Sequence, residues 1–132
     1  MIFVDTSFWI ALGRADDVRH AEAVDAMTRF GSGLLVSSNH VIGETWTFAR
    51  RRHGYRGALA AVERITRTPR LQQLHTTEED ERLAWLWLRN RPEREYSFVD
   101  ATSFVLMRRH AIHEAFAFGG DFASAGFVEL RA

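Results

Sequence analysis

The 132-residue chain contains no cysteine, which excludes disulfides, thiolate metal sites and cysteine nucleophiles and leaves the redox compartment unread. Lysine is absent too: all 17 basic residues are arginine. A Walker A phosphate loop, a Schiff-base enzyme and the aspartyl-phosphate folds each lose an amine they require. The 17 basic residues are matched by 17 acids, so there is no broad positive field for non-specific nucleic-acid binding. Any such binding must rest on local arginine clusters. Only two prolines interrupt the chain, and no apolar run approaches the roughly 18 residues that span a bilayer. Met1 leads directly into Ile-Phe-Val-Asp without the order of a secretory leader. The expectation is a soluble, cytoplasmic protein with no membrane contact, folded as one domain over residues 1–132 that buries roughly two-thirds of its unfolded surface.

The order of elements is informative. Met1 to Asp5 reads as a short buried strand, Thr6 to Leu12 as one or two helical turns, and Val18 to Phe30 as an amphipathic helix with Ala21, Val24, Met27 and Phe30 on its apolar face. Leu34 to Ser37 is a second strand. A helix follows from Asn39 to Arg52, with Gly54 as its stop, and another covers Arg56 to Arg67 before Pro69. Leu71 to His75 is a third strand, Thr77-Glu78-Glu79-Asp80 opens a helix that Pro92 closes, and Ser97 to His110 is the next helix. Glu114 to Phe118 and Phe127 to Leu130 complete the strands, separated by a turn at Gly119-Gly120. Alternating strands and helices imply an α/β sandwich around a mostly parallel sheet, with ligand sites at the carboxyl ends of strands.

Four acids stand where apolar or small residues are the norm: Asp5 after Ile-Phe-Val, Glu44 within Val-Ile-Gly-Glu-Thr-Trp, Asp100 within Ser-Phe-Val-Asp-Ala-Thr, and Asp121 after Phe-Ala-Phe-Gly-Gly. A buried carboxylate needs hydrogen bonds, a counter-charge or a metal. Taken singly, most have an ordinary reading. Asp5 fits the cap of the helix at Thr6, Asp100 fits a capping box with Ser97, and Asp121 fits a turn. Glu44 lies past the first turn of its helix, near Val41 and Phe48, where neither capping nor the dipole accounts for it; pairing with Arg51 or His40 is the plain alternative. Were the fold to gather all four, a divalent cation would be the natural compensator.

Val4-Asp5-Thr6-Ser7, Ile42-Gly43-Glu44-Thr45, Phe98-Val99-Asp100-Ala101 and the closing Phe118-Gly119-Gly120-Asp121-Phe122 with Ala125-Gly126-Phe127 together resemble the PIN-domain ribonucleases, specifically the VapC-type toxins of bacterial toxin–antitoxin pairs. The resemblance spans essentially the whole chain. It implies a three-layer α/β/α sandwich, Mg²⁺ or Mn²⁺ held by Asp5 and Asp100 with Glu44 completing the acidic pocket, an RNA substrate, a small antitoxin partner and a homodimer. The family often carries an acid where Gly119 stands, so Asp121, two residues on, is the candidate fourth catalytic or metal-binding acid. Two further readings fit the same acids: a degenerate PIN-like module that binds RNA or a partner without cutting, and a metal-dependent DNA nuclease or phosphatase.

The remaining features are less specific. Arg50-Arg51-Arg52-His53 and Arg108-Arg109-His110 read as helix ends or as phosphate contacts. Trp85-Leu86-Trp87-Leu88 is too apolar for a fully solvated helix, which leaves one tryptophan for dimerisation or base stacking. His110-x-x-His113 spans a helix end and is a poor ligand pair. Thr6 and Ser7 are candidates to hydrogen-bond a ligand carboxylate or water.

Overall fold

The computed structural model describes all of residues 1–132. Five strands form one sheet: β1 (Ile2–Val4), β2 (Leu35–Ser38), β3 (Leu71–Leu74), β4 (Glu114–Phe116) and β5 (Val128–Glu129). Their spatial order is β3-β2-β1-β4-β5. Every pairing is parallel, so the sheet is wholly rather than mostly parallel. The helices are α1 (Thr6–Gly13), α2 (His20–Phe30), α3 (Asn39–Thr66), α4 (Glu78–Arg89), α5 (Phe98–Arg109) and α6 (Asp121–Ser124).

This order determines where the site lies. From β1 through β2 to β3 the chain steps one way across the sheet; it then crosses back to β4 and β5 on the other side of β1. Right-handed crossovers therefore place the helices of the two halves on opposite faces, giving the expected three-layer α/β/α sandwich. The order reverses between β1 and β4, and such a switch point opens a crevice beyond the strand ends. Asp5 follows β1 directly, and Gly119 to Asp121 follow β4.

Buried on both faces, the central strands are nearly uniformly apolar: Phe3, Val4, Leu35, Val36, Ala115 and Phe116 are all fully enclosed. Phe8 of α1 stacks on Phe116 at 4.4 Å between ring centres, and Phe104 of α5 meets Phe122 at 4.9 Å. These aromatic contacts fasten α1, α5 and α6 around the ends of β1 and β4.

Several boundaries shift from their sequence expectation. The carboxyl-terminal strands are shorter, and α2 turns a different face inward: Ala23 and Ala26 are buried, whereas Ala21 and Val24 are exposed and Val18 precedes the helix. The segments expected on either side of Gly54 are one continuous element broken there, with Gly54 at φ +77°, a conformation that costs glycine little and other residues much. The turn at Gly119-Gly120 also has positive φ at both residues (99° and 89°), and it leads into the unanticipated short helix α6.

Candidate active site

Asp5 is the N-cap of α1, as the plain reading of the sequence anticipated, but capping occupies only half of its carboxylate. Oδ2 accepts hydrogen bonds from the Ser7 hydroxyl at 2.7 Å and the Ser7 amide at 3.2 Å. Oδ1 is buried and has no partner. The Ser7 hydroxyl also accepts from the Phe118 amide at 3.0 Å, so one serine ties the end of β1 to the turn after β4. Burial, reinforced by the nearby charges of Asp100 and Glu44, pushes the Asp5 carboxyl up to about 7 against the pull of the Ser7 bonds.

Asp100 is the third residue of α5 and closes a capping box with Ser97: its Oδ2 accepts from the Ser97 amide at 2.9 Å, and its own amide donates to the Ser97 hydroxyl at 3.0 Å. Burial is the main cause that raises this carboxyl to about 6, with the charges of Asp121 and Glu44 adding to it. The four acids thus share one electrostatic field at the switch point.

Glu44 is half-buried on α3 and pairs with neither Arg51 nor His40. His40 is committed elsewhere, to Thr76 at 3.0 Å and to Glu81. The neighbouring polar residues serve the frame: Thr6 donates to the Val41 carbonyl at 3.4 Å rather than to a carboxylate, and Ser37 donates to the Val4 carbonyl at 2.9 Å.

Asp121 opens α6 and does not sit in a bare turn. Its Oδ1 accepts from Arg94 Nε at 2.6 Å, and the same guanidinium donates to the Gly119 carbonyl at 2.9 Å. No local pattern marks this arginine, which lies 27 residues away in the loop before α5. With both glycines before it at positive φ, the backbone here is shaped for glycine, and a side chain at position 119 would be strained.

The donor set fits a hard divalent cation. No three acids or histidines close into a ready-made cage. Mg²⁺ does not require one: it keeps several waters and is usually held by one or two carboxylates plus substrate phosphate. An orphaned, buried carboxylate oxygen on Asp5, beside a second carboxyl also raised by burial, is what such an ion would compensate. The largest cavity, about 550 Å³, lies instead between α4 and α5 around Asp80 and Arg109 and contains none of the four acids. Chemistry rather than volume marks the site.

The structure also decides between two readings the sequence left open. Arg109 is not free for phosphate, because it holds Asp80 through two bonds of 2.9 and 2.8 Å. Trp87 is buried, so Trp85, half-exposed and tilted against Phe98 at 4.5 Å between ring centres, is the surplus tryptophan.

Residues 2–128 match the PIN domain family profile. The chain is 52% identical over 132 residues to the 23S rRNA-specific endonuclease VapC20 of Mycobacterium tuberculosis in two strains, covering 99% of this chain and 98% of that protein. It also superposes on the crystal structure of Mycobacterium tuberculosis VapC20, described as a sarcin–ricin loop cleaving toxin, with a TM-score of 0.92, 50% identity and full coverage of both chains. The resemblance read from the four acidic motifs is borne out, and this chain belongs to the PIN-domain family, among the VapC-type toxins.

Proposed function

We propose that this PIN-domain endoribonuclease cuts a structured loop of large-subunit ribosomal RNA in the cytoplasm, with Mg²⁺ or Mn²⁺ held at Asp5 and Asp100, and that a small antitoxin restrains it. The observation that carries the reading is the buried, unpartnered Oδ1 of Asp5 beside Asp100 and Glu44, in a chain half-identical to an rRNA endonuclease. When bound, the ion supplies positive charge to the phosphate oxygens and lowers the pKa of a water. The chain's own residues do the rest. Ser7 fixes the rotamer of Asp5, the Ser97 capping box fixes Asp100, and Glu44 adds a third carboxylate whose charge acts on both. Asp121, held by Arg94, stands at the rim as an outer carboxylate.

Cleavage of an RNA stem-loop carrying the sarcin–ricin sequence with Mg²⁺, Mn²⁺ or EDTA, by wild type and by Asp5→Asn, tests the reading. Metal-dependent cleavage by the wild type alone is expected, and equal cleavage by both would sink it. The second reading is a degenerate module that binds RNA without cutting. It draws on Gly119 and on the engagement of Asp121 by Arg94, and binding without cleavage by the wild type would favour it.

An antitoxin tail that places an arginine or an acid in the pocket would compete for carboxylates or metal. A neutralised complex that still cleaves at the free rate contradicts that mode. The homodimer is proposed on exposed Leu83, Trp85 and Leu86 of α4, and a fully active monomer in sedimentation at micromolar concentration would count against it.

A further inference from the structure

Beyond Glu44, α3 carries Thr47, Phe48, Arg51 and Arg52 at offsets of three, four, seven and eight residues, which stacks them on one face of the helix. These five side chains and Thr6 line an open groove of about 450 Å³. Two of its walls belong to the acidic site: Thr6 follows Asp5 in α1, and the charge of Glu44 is felt by both Asp5 and Asp100. At a rise of ~1.5 Å per residue, Arg51 and Arg52 stand ~11 to 12 Å along the axis from Glu44. The groove is therefore acidic at one end and cationic at the other.

Neither guanidinium is neutralised within the chain, since all eight ion pairs of the fold use other cations. Arg52 lies 5.1 Å from the ring centre of Phe48, a cation–π contact that supports the side chain along the groove. The helix dipole accounts for cations in the turn before the break at Gly54. It does not account for two of them lining the same groove as the acidic site. An acidic pocket repels a polyanion on approach, so a strand that reaches it needs cationic contacts beside the pocket.

We infer that Arg51 and Arg52 form a phosphate subsite that grips the RNA backbone at a phosphate flanking the cleaved bond. The inference rests on the endoribonuclease reading and deepens it. Each guanidinium presents a planar fork matched to two phosphate oxygens, and such contacts set register along the strand without reading its bases. The Thr47 hydroxyl donates to the Gly43 carbonyl at 3.2 Å and keeps lone pairs for water or a ribose hydroxyl. The exposed ring of Phe48 supplies the only large apolar surface in the groove.

The test is steady-state cleavage of the RNA stem-loop across a range of salt by wild type, Arg51→Gln, Arg52→Gln, the double variant and the double arginine-to-lysine variant. Arg67→Gln, on the exposed residue that follows α3 and leads into the amino end of β3, controls for net charge. Each groove substitution should raise KM roughly five- to tenfold with a much smaller change in kcat. Each should also flatten the dependence of log(kcat/KM) on log salt by about 0.7 to 0.9. Lysine should restore the salt slope but only part of the KM, and Arg67→Gln should do neither. An unchanged KM and salt slope in the double variant overturns the subsite while leaving the nuclease reading standing. Lost antitoxin inhibition with normal RNA kinetics also overturns it, by assigning the groove to the protein partner. Failure of the wild type to cleave with any divalent ion overturns both.

Discussion

Asp80 and Asp5 are 2% and 7% exposed, and each stands at the start of a helix beside a hydroxyl residue, yet the fold treats them in opposite ways. Burial works to raise Asp80, but bonds from Thr77 and the two-pronged contact from Arg109 outweigh it and hold the carboxyl below its usual range. Asp5 has the serine but no guanidinium, and it is pushed up to about 7. Asp100 sharpens the contrast: its capping box with Ser97 repeats that of Asp80 with Thr77, yet without an arginine it is raised to about 6. Capping is common to all three acids and so cannot explain the difference. What separates them is the guanidinium that Arg109 gives Asp80 and that neither Asp5 nor Asp100 receives.

The largest expected effect is on catalysis. Asp5→Asn and Asp100→Asn should each reduce RNA cleavage to the background of a gel assay while the circular dichroism spectrum stays folded, because asparagine preserves both caps. Retained cleavage in either variant would break the comparison. The opposite pattern is expected at the structural pair: Arg109→Ala leaves buried Asp80 with only its capping bonds to Thr77 and should cost about 2 kcal/mol in urea unfolding, less than a fully enclosed pair because Arg109 is partly exposed. Cleavage per folded molecule should be unaffected.

The pH dependence follows from the same carboxyls. Asp5 near 7 and Asp100 near 6 in the fold hold protons that the unfolded chain has already released, so the metal-free protein loses stability as pH rises from about 4 to about 7. A carboxyl at about 7 folded and about 4 unfolded costs on the order of 4 kcal/mol to keep ionised above pH 7. In EDTA, Asp5→Asn should therefore melt higher than wild type at pH 8, with the difference vanishing near pH 4. A variant less stable than wild type at pH 8 would place the charge of Asp5 with Asp80 among the compensated ones.

The smallest effect is assigned to Asp121, whose carboxylate already has a guanidinium partner. Asp121→Asn should weaken Mn²⁺ binding and reduce activity by ~10- to 100-fold, as an outer-shell partner does, and by less than Asp5→Asn. No change would make it a helix-opening residue only, and complete loss would make it a direct ligand.

Much of this was legible in the chain because the signals are local. Ile-Phe-Val before Asp5, Gly54 after the arginine run, and the serine three residues before Asp100 each specify a strand, a break and a cap through neighbouring residues. What was hidden depends on distance. Arg94 reaches Asp121 across 27 residues, Arg109 reaches Asp80 across 29, and Ser7 reaches Phe118 across 111. No periodicity encodes those contacts; the packing of α5 on α4 creates the Arg109–Asp80 pair, and the return of the chain to β4 creates the other two. The inward face of α2 was misread for a related reason: tight packing against α1 selects Ala23 and Ala26, whereas a hydrophobicity pattern favours the larger Val24.

The central claim, that the uncompensated charge of Asp5 is there for a divalent cation, is tested most directly by thermal melting at pH 8 with EDTA and with increasing Mn²⁺, for wild type and Asp5→Asn. The account predicts that Mn²⁺ raises the wild-type midpoint in a concentration-dependent way, as a ligand of the native state must. The same titration should leave the variant, already more stable in EDTA, nearly unmoved. Equal shifts in the two proteins, or none in the wild type up to millimolar Mn²⁺, would contradict it.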